Sequence, residues 1–555
     1  MIYNQIIKSK DNFDIPLFSD GRAMHSKYAP IKEAESFGSD INKENRFTII
    51  LGLGGGYHIE SFAKKNPEQF ILVIEHTNED IEYLSSIECV QKLKSQKNVA
   101  VICKTQIKEA ILKKYIPSFY GGINILSNRA WYNFDEASAK KIIEEIQNAI
   151  NLCSKDFSVQ SHFGFIWQKN ILKNLKTVYK ENTLSAPDNG APSPLQIPHL
   201  APALQTPPAL QTALRQKKIA AIIAAGPSLD FTIKNIISSR ENYFIIATDT
   251  AFSVIEKYKL NCDAVVSIDG QNISSNHFTG HDCKNTIFVF DMQANSNAVS
   301  FVKKIGAPVI LTKSGHPLCE YAQKYGTDST GVFSRLDSGA GTVTIAAIDF
   351  AHYAGFEKIQ VFGADFAYIF EKPYAKGTYF DMLYRKNESK LVPAENLFTN
   401  LLYRTEIQKE ILSLSGTTTN KITTEILNSY KTTFLEWIRA NGYQYEYKDF
   451  IYYINLSENV SKIKSRLDSN FDTSCIPDIP CTPYMPEFNY EKFSQKIKDD
   501  IKTALARKKN ISSIADLSDL EIALLPAVSY YRNQIKNICF DEALKLALSK
   551  ILEYT

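Results

Sequence analysis

Six short apolar runs in the middle of the chain constrain the fold more than any other feature of the sequence. They are KIAAIIAA, YFIIATD, AVVSID, TIFVFD, APVILT and KIQVFG, and they lie between residues 218 and 363. Continuous apolar runs of this length are typical of strands buried on both faces. Because helical or loop-like stretches separate them, the sequence predicts an α/β fold with a doubly wound, mostly parallel sheet in its centre.

A proline-rich stretch divides the chain ahead of this sheet. Residues 185–215 hold seven of the chain's 21 prolines and two copies of the sequence PALQT. This composition favours a semi-rigid linker or an insertion. Because 555 residues exceed what one core usually organises, we predict separate domains on either side. The predicted segments are a Rossmann-like domain at 1–184, the linker at 185–215, a central domain at 216–390 and a mainly helical domain at 391–555.

The last third of the chain loses the glycine-punctuated strands and acquires helical apolar spacing. The segments 397–414, 423–441, 493–509 and 540–554 each place apolar residues three or four apart. We predict a helix in each of them. Such faces most often pack into a core, and a docking surface for a partner is the alternative.

A glycine loop follows the first buried strand of the N-terminal domain. Gly52, Gly54, Gly55 and Gly56 stand between a strand and a helix, and Glu75 ends the next strand. This spacing is typical of a Rossmann-type site for a dinucleotide or S-adenosylmethionine, in which the acid holds a ribose diol. The same glycines also serve tight strand-to-helix packing, and we favour that interpretation.

Composition and charge argue against several classes of protein. Lys and Arg total 63 against 60 Asp and Glu, so no net field would attract the chain to nucleic acid or an anionic membrane. The first residues lack the apolar stretch of a signal peptide, and no segment approaches about 18 uninterrupted apolar residues. Nine cysteines without a CxxC pair are typical of reduced thiols. We expect a cytoplasmic protein without a nucleic-acid partner, a membrane partner or a zinc site.

The central domain opens with the loop Gly226-Pro227-Ser228-Leu229, directly after its first strand. Gly226 permits a sharp turn, Pro227 suits the first turn of a helix, and Ser228 offers a hydroxyl and a free backbone N–H. A helix start of this kind favours an anion, and ligands of open parallel sheets lie beyond the carboxyl ends of the strands. We predict that this loop is the centre of a binding site, with an ordinary capped helix as the alternative.

Polar residues follow the next two strands at the same predicted edge. The second strand ends at Asp249 and Thr250, and the third leads into Asp269 and Gln271. A single acid after a strand is commonly a helix cap. Several acids directed at one crevice indicate a binding site.

Two further segments complete the predicted site. The first is a small-residue loop before an alanine-rich helix, with the features of a phosphate or sugar cradle: Ser338, Gly339, Gly341 and Thr342. The second is a polar and aromatic loop after the strand KIQVFG, and it carries Asp365, Tyr368, Tyr374 and Gly377. The tyrosine hydroxyls are candidates to bind a phosphate or a carboxylate.

These segments together resemble the motility-associated factor (Maf) glycosyltransferases. The similarity is carried by AAGPSLD, ATDTAF, VVSIDGQN and SGAGTVTIAAIDFAHYAGFEKIQVFGADFAY with YAKGT, by HSKYAPIKEAESF, IILGLGGGYHIESF and LVIEH, and by IYYINLSENVSKI. It covers about residues 20–465, with the proline-rich stretch as an insertion. The resemblance implies a glycosyltransferase-like central domain. It also implies transfer of a nonulosonic acid, such as pseudaminic or legionaminic acid, to flagellin in support of motility.

The central pattern more distantly resembles bacterial sialyltransferases that use CMP-sialic acid. That resemblance implies that the GPSL loop holds the nucleotide and that Tyr368 and Tyr374 bind its phosphate. The chain departs from the pattern at two positions, because Ala225 and Asp249 stand where those enzymes have asparagines. The general base of those enzymes is a histidine after the tyrosine pair, and no histidine follows His352 here.

The missing histidine leaves the general base to be assigned from this chain's own residues. The reaction requires a group that removes a proton from a Ser or Thr hydroxyl as it attacks the anomeric carbon. Asp365 and Asp269 are the candidates. Asp249 and Asp269 are alternatively oxygen ligands for a divalent ion. The sialyltransferase resemblance implies no required metal, and we expect no other cofactor.

Three other functions are open alternatives. A methyltransferase or another nucleotide enzyme would use the glycine loop and Glu75. A pterin pyrophosphokinase would use the GPSL loop and the acidic strand ends with Mg²⁺ and ATP. A non-catalytic protein would bind flagellin through its helical tail.

Overall fold

The computed structural model describes residues 1–180, 213, 216, 218–278, 284–327, 333–337, 342–386, 388–414, 417–456, 488–507, 511 and 513–555. Almost all of the predicted linker 185–215 lies outside these residues, as do Ser338, Gly339 and Gly341. By contacts, the chain divides into two compact units. The first comprises Met1–Phe165 and Thr503–Ser549, and the second comprises Ile166–Lys502 and Lys550–Thr555.

The first unit contains an antiparallel hairpin and a four-stranded parallel sheet. The hairpin is β1 (Tyr3–Lys8) and β2 (Asp14–Phe18), and the sheet strands are β3 (Phe47–Leu51), β4 (Phe70–Glu75), β5 (Val99–Cys103) and β6 (Ile123–Ser127). The sheet order is β5-β4-β3-β6. Its helices are α1 (Pro30–Glu35), α2 (Tyr57–Lys65), α3 (Asn78–Leu84), α4 (Glu88–Lys94), α5 (Ile107–Lys114), α6 (Pro117–Tyr120), α7 (Arg129–Phe134) and the long α8 (Glu136–Leu175), which extends into the second unit. Every residue of β3 is buried, as its continuous apolar run predicts.

The second unit contains all six strands that the apolar runs predict. They are β7 (Ile219–Ile223), β8 (Tyr243–Thr248), β9 (Ala264–Ser267), β10 (Ile287–Asp291), β11 (Val309–Thr312) and β12 (Lys358–Phe362). They pair in parallel in the order β11-β10-β9-β8-β7-β12. The helices between them are α9 (Leu229–Ser238), α10 (Asp249–Lys257), α11 (Ser296–Lys304), α12 (Pro317–Gly326) and α13 (Val343–Tyr353).

The sheet continues past residue 390, the predicted end of the central domain. After β13 (Tyr368–Ile369), α14 (Tyr379–Lys386), α15 (Ala394–Leu402), β14 (Ile407–Leu414), β15 (Thr417–Thr424) and α16 (Glu425–Ala440) come β16 (Tyr443–Lys448) and β17 (Ile451–Leu456). Strand β17 pairs antiparallel with β12, and β16 pairs with β17, so the sheet has eight strands. Phe434 and Trp437 of α16 join the hydrophobic core over this sheet.

The prediction of one helix over 397–414 is wrong in its second half. Residues Ile407–Leu414 form β14, which pairs antiparallel with β15 over eight residue pairs, and β13 adds to β15. The partner strand is rich in threonine, a β-branched residue that favours strands. The hydrogen-bonded ladder therefore overrides the helical apolar spacing.

The remaining predicted helices are confirmed. They are α16, α17 (Tyr490–Leu505) and α20 (Phe540–Ile551), and two further helices, α18 (Asp519–Ala523) and α19 (Leu525–Gln534), lie between the last two. Residues 503–549 pack with the first unit, where Arg532 donates to the Ser118 carbonyl and the Phe540 ring centroid lies 4.8 Å from that of Phe119. The predicted fold class, with its Rossmann-like first part, doubly wound central sheet and mainly helical C-terminal part, is confirmed.

Two asparagines of α8 hold loops at the carboxyl edge of the second unit's sheet. The Nδ2 group of Asn170 donates to the carbonyls of Gly270 and Gln293, each at 3.0 Å. The Nδ2 group of Asn174 donates to the carbonyls of Met292 and Ala294 at 2.9 and 2.8 Å. These bonds fix the backbone that follows β9 and β10, because each amide uses both of its hydrogens on backbone carbonyls.

Candidate functional site

The strand order of the second unit marks the position where a ligand is expected. Strands β7 to β11 follow one another across the sheet in one direction, and the chain then returns to place β12 on the other side of β7. In an open parallel sheet, ligands bind at the carboxyl ends of the strands at such a switch point. The loop Gly226–Leu229 follows β7 and Asp365 follows β12, so the structure brings both to this point.

The loop after β7 is fixed to the segment after β12. The Gly226 N–H donates to the Gly363 carbonyl at 2.8 Å, and a Cβ on Gly226 would lie 2.4 Å from that oxygen. The Ala375 N–H, beside Tyr374, donates to the Ala225 carbonyl at 2.9 Å. Glycine is therefore required at 226 by the close approach of two backbone segments.

Ser228 differs from its prediction in one respect. Its backbone N–H is not free but donates to Asp365 Oδ2 at 2.8 Å, and Pro227 precedes the N-cap of α9, which begins at Leu229. The Ser228 side chain is fully buried, and its Oγ has no hydrogen-bond partner among the described residues. The hydroxyl, rather than the N–H, is the group that this loop offers to a ligand.

Asp365 combines burial with an unused oxygen. While Oδ2 accepts the Ser228 N–H, Oδ1 is buried and finds no partner in the part of the chain that the structure describes. Burial raises the pKa of this carboxyl to about 6, and the hydrogen bond from the Ser228 N–H opposes the rise. Asp365 is thus a carboxylate that can accept a proton near neutral pH.

Asp249 is the first residue of α10 and is also buried. Its Oδ1 accepts the N–H of Thr250 at 2.7 Å and its Oδ2 accepts the hydroxyl of Ser267 at 2.8 Å. Burial raises its pKa, whereas the charge of His277 lowers it. His277 therefore lies within electrostatic range of Asp249, a proximity that the sequence did not indicate.

The other predicted strand-end acid, Asp269, organises its own loop. Its Oδ1 accepts the N–H of Gln271 at 2.9 Å and its Oδ2 accepts the hydroxyl of Ser274 at 2.7 Å. Gln271 is exposed and caps the short turn 272–277. Both oxygens of Asp269 are engaged in holding this turn, which distinguishes it from Asp365.

Two predicted tyrosines and an arginine form what we call the tyrosine–arginine cluster: Tyr368, Tyr374 and Arg404. Burial raises the pKa of each tyrosine, and the charge of Arg404 lowers it. The guanidinium of Arg404 is exposed and forms no ion pair with any described residue. The cluster thus presents two phenols and a cation, and Arg404 was missed by the sequence analysis because no local pattern marks it.

An aromatic chain connects this cluster with His277. The ring of Phe380 stacks on Tyr374 with centroids 5.1 Å apart, and the His277 ring lies 6.3 Å from Phe380. The Nδ1 atom of His277 is buried without a described partner. A histidine thus reaches the aromatic side of the site from the loop after β9, although none follows the tyrosines in the sequence.

The remaining predicted residues have local roles in the structure. Thr342 caps α13, since its Oγ1 accepts the Thr344 N–H at 3.3 Å. Gly377 adopts φ +101°, and its N–H donates to Asp381 Oδ2 at 2.9 Å. Ser338, Gly339 and Gly341 lie outside the described residues, so the second cradle stays a prediction.

The glycine loop of the first unit is filled by protein. A Cβ on Gly52 would lie 2.7 Å from the Trp131 ring, and one on Gly54 would lie 2.6 Å from Met24. Glu75 is fully buried and accepts bonds from the Tyr3 hydroxyl, the Trp131 Nε1–H and the N–H groups of Leu53 and His76. Its oxygens are taken, which favours the packing interpretation of this loop over a ribose site.

Among the residues that the structure describes, no three His, Cys, Asp or Glu side chains are grouped as possible metal ligands. None of the described helices combines the length and the apolar character needed to cross a membrane.

Comparison with known proteins adds three findings. Residues 197–371 match the family model of 6-hydroxymethylpterin diphosphokinase MptE-like proteins. Two uncharacterized proteins of Treponema pallidum (strain Nichols) are 32% identical over 170 residues and 34% identical over 166 residues. The matched segments span 58% and 67% of those proteins and 29% and 30% of this chain, so the chain belongs to one family with the second of them.

The third finding is a solved structure. The Maf glycosyltransferase from Magnetospirillum magneticum AMB-1 matches with a TM-score of 0.51 and 13% identity, over 100% of this chain and 87% of that one. The resemblance drawn from the sequence is therefore confirmed, and this chain has the fold of a Maf glycosyltransferase.

Proposed function

We propose that this chain is a glycosyltransferase that moves a nonulosonic acid, of the pseudaminic, legionaminic or sialic type, from a CMP-sugar to Ser or Thr of flagellin. The observation that carries the proposal is the switch-point site itself. It combines the unpartnered hydroxyl of Ser228 and the unpartnered oxygen of Asp365 with the tyrosine–arginine cluster. The fold shared with a Maf glycosyltransferase supports the same reaction class.

The donor sugar suits the chemistry of these groups. A CMP-activated nonulosonic acid carries a phosphate and a carboxylate, and both require cations or hydroxyl donors. Arg404, Tyr368 and Tyr374 supply a guanidinium and two phenols, which form strong hydrogen bonds to such anions. The same donors stabilise the negative charge that develops on the leaving phosphate.

The acceptor hydroxyl needs a general base, and the geometry separates the candidates. Asp269 is engaged through both oxygens in its own turn, so we assign the role to Asp365, whose Oδ1 is unused. A pKa of about 6 leaves Asp365 mostly ionised near pH 7 and able to take the proton. His277, whose Nδ1 has no described partner and whose charge acts on Asp249, is the second candidate.

The donor-binding part of the proposal is tested by calorimetric titration of the full chain with CMP. Ser228→Ala and Arg404→Gln each remove one proposed contact, and we expect each to weaken CMP binding by about tenfold. Ser253→Ala removes another buried, unpartnered hydroxyl on α10, and Arg439→Gln removes an exposed guanidinium outside the cluster. The proposal fails if CMP does not bind, or if both control variants lose as much affinity as the test variants.

The acceptor and the base are tested with purified flagellin and a CMP-nonulosonic acid. Mass spectrometry of flagellin peptides should show the sugar on Ser or Thr. Asp365→Asn should lower kcat by about a hundredfold or more with little change in the donor KM. A decrease of kcat in His277→Gln and not in Asp365→Asn would assign the role of general base to His277.

CMP binding without any transfer of sugar to flagellin would reject flagellin as the acceptor. A cytoplasmic site of action belongs to this proposal.

A second function is favoured by one finding, the match of residues 197–371 to the pterin diphosphokinase-like model. That reaction would use the same GPSL loop and acidic strand ends with Mg²⁺ and ATP. The titration therefore includes ATP and S-adenosylmethionine, each with and without Mg²⁺. Binding of Mg²⁺-ATP with 6-hydroxymethylpterin, and not of CMP, would select this alternative.

A further inference from the structure

The first unit contains a cavity of about 410 Å³ that the proposed function does not use. Its sheet runs β5-β4-β3-β6, so the strand order reverses between β3 and β6. The cavity lies at this reversal: Leu126–Arg129 at the end of β6 line one side, and His58 of α2, the helix after β3, lines another. This is the position at which parallel sheets bind ligands, and the volume is that of a small-molecule site.

Two buried imidazoles in the cavity wall have fixed and opposite hydrogen-bonding roles. His25 Nε2 accepts the Gly55 N–H at 2.9 Å, so its proton is on Nδ1. His58 Nε2 lies 3.1 Å from the Gly52 carbonyl and must donate to it, so its Nδ1 carries a lone pair. That Nδ1 is buried and has no partner among the residues the structure describes.

Both imidazoles are neutral. Burial holds the pKa of His25 well below its ordinary range, and the neighbouring His58 lowers it further. Burial lowers the pKa of His58 to about 4. With ring centroids 5.3 Å apart, the pair offers one N–H donor and one nitrogen acceptor, which suits a hydroxyl group because a hydroxyl both accepts and donates.

The mouth of the cavity carries charge. Arg129 is exposed there and makes no ion pair with a described residue. Two acids share the rim: Glu33, whose Oε2 is bonded to the Ser26 N–H at 2.6 Å, and the exposed Asp40. Phe37 packs edge-on against His58 with centroids 4.8 Å apart and gives the cavity an apolar wall.

The filled glycine loop excludes the larger ligands of Rossmann folds from this site. Glu75 has no free oxygen for a ribose diol, and the side chains of Trp131 and Met24 occupy the space above Gly52 and Gly54. The ligand must therefore enter from the side of β6 and the segment 33–40.

We propose that this cavity is a second small-molecule site and that it takes a hydroxylated anion, a monosaccharide bearing a phosphate or a carboxylate. A ligand hydroxyl donates to His58 Nδ1 and accepts from His25 Nδ1–H. The anionic group binds Arg129, and the sugar ring packs on Phe37. This site is separate from the CMP site of the proposed function and does not depend on it.

The test uses the full chain and three named probes, glucose 6-phosphate, glucuronate and uncharged glucose, in calorimetric titrations. We expect at least one anionic probe to bind with a Kd below about 1 mM and glucose to bind at least about tenfold more weakly. Arg129→Gln should weaken the anionic probe by about tenfold. Ser39→Trp, at the exposed rim, should block it. Lys113→Gln, an exposed cation on α5 outside the cavity, should bind as the wild type does.

The outcomes separate this proposal from the central site. Protection of β3 to β6 from hydrogen exchange as in the wild type shows that the first unit is folded in Arg129→Gln and Ser39→Trp, and unchanged CMP binding shows that the two sites are independent. The more tightly bound anionic probe identifies the anion as phosphate or carboxylate. The proposal is overturned if neither anionic probe saturates the protein, if glucose binds as tightly as they do, or if Arg129→Gln and Ser39→Trp both bind like the wild type.

Discussion

The buried carboxyl of Asp365 makes the stability of the folded protein depend on pH. Its ordinary pKa of 3.8 rises to about 6 through burial, so the folded state binds this proton more tightly than the unfolded state does. The stability that protonation contributes is therefore complete below about pH 4 and is lost as the pH rises through about 6. By linkage, the ionised carboxylate costs the folded protein roughly 3 kcal/mol at most.

We therefore expect Asp365→Asn to stabilise the protein by about 1–3 kcal/mol near pH 8 and to have no effect near pH 4. The asparagine can still accept the Ser228 N–H and carries no charge. Urea unfolding at both pH values measures the difference, and Glu446→Gln, at an exposed position of β16, is the matched control. A stabilisation that is equal at the two pH values would show that ionisation of Asp365 is not its source.

A substitution at Gly226 tests the close approach of the loop after β7 to the segment after β12. A methyl group there would lie 2.4 Å from the Gly363 carbonyl and 2.5 Å from Asp365 Oδ2, and the carbonyl belongs to the backbone. We expect Gly226→Ala to destabilise the protein by about 1–3 kcal/mol and to weaken CMP binding. Gly315→Ala, whose nearest neighbour is Arg335 at 3.5 Å, should change stability by less than about 0.5 kcal/mol. Comparable losses in both variants, by thermal unfolding, would contradict this account.

The contacts and residues of the site that the sequence did not indicate share a physical cause. Ser228 and Asp365 are 137 positions apart, so nothing local indicates that their hydrogen bond uses the N–H expected to bind an anion. Arg404 and His277 reach the site only through folding of the chain around it. Residue types at strand ends were predictable because strand direction sets their position, whereas partners chosen by tertiary packing were not.

At the scale of elements, the long helix α8 holds the backbone that follows β10 through Asn174. The side chain is fully buried, and its two bonds satisfy the Met292 and Ala294 carbonyls. We expect Asn174→Ala to cost about 2–4 kcal/mol, because two buried carbonyls lose their donors. Gln147→Ala, on an exposed face of the same helix, should be within about 0.5 kcal/mol of the wild type. Denaturant unfolding measures the free energy of unfolding of both variants. A decrease below about 1 kcal/mol for Asn174→Ala would mean that water replaces the amide.

Sequence patterns were sufficient to predict some of the strands and not others. The six parallel strands were predictable because continuous apolar runs separated by helices leave few arrangements other than a doubly wound sheet. β14 was not, because Ile407–Leu414 carries helical spacing and becomes a strand only when β15 pairs with it. β16 and β17 join the sheet edge beside β12, a pairing between segments some hundred residues apart that local spacing does not encode.

At the scale of the whole molecule, neither of the two compact units is one continuous segment of the chain. Residues 503–549 complete the first unit, although they follow the second in the sequence. Amphipathic helices indicate that a face is buried but not which partner buries it. Removing the tail to test flagellin docking would therefore also remove helices that pack on the first unit, so loss of binding would not identify a docking surface.

A single methyl group provides a sharper test of this arrangement. Gly164 of α8 packs on the backbone of α19, and a Cβ there would lie 1.8 Å from the Pro526 carbonyl oxygen. The backbone cannot give way locally, so we expect Gly164→Ala to destabilise the first unit by about 2–3 kcal/mol. Ser154→Ala, on an exposed face of α8, is the control and should leave the stability nearly unchanged.

Native-state hydrogen exchange by mass spectrometry measures the stability of the two units separately. Faster exchange in β3 to β6 with unchanged protection in β7 to β12 is the expected result. Equal loss of protection in both sheets would show that the two units unfold together.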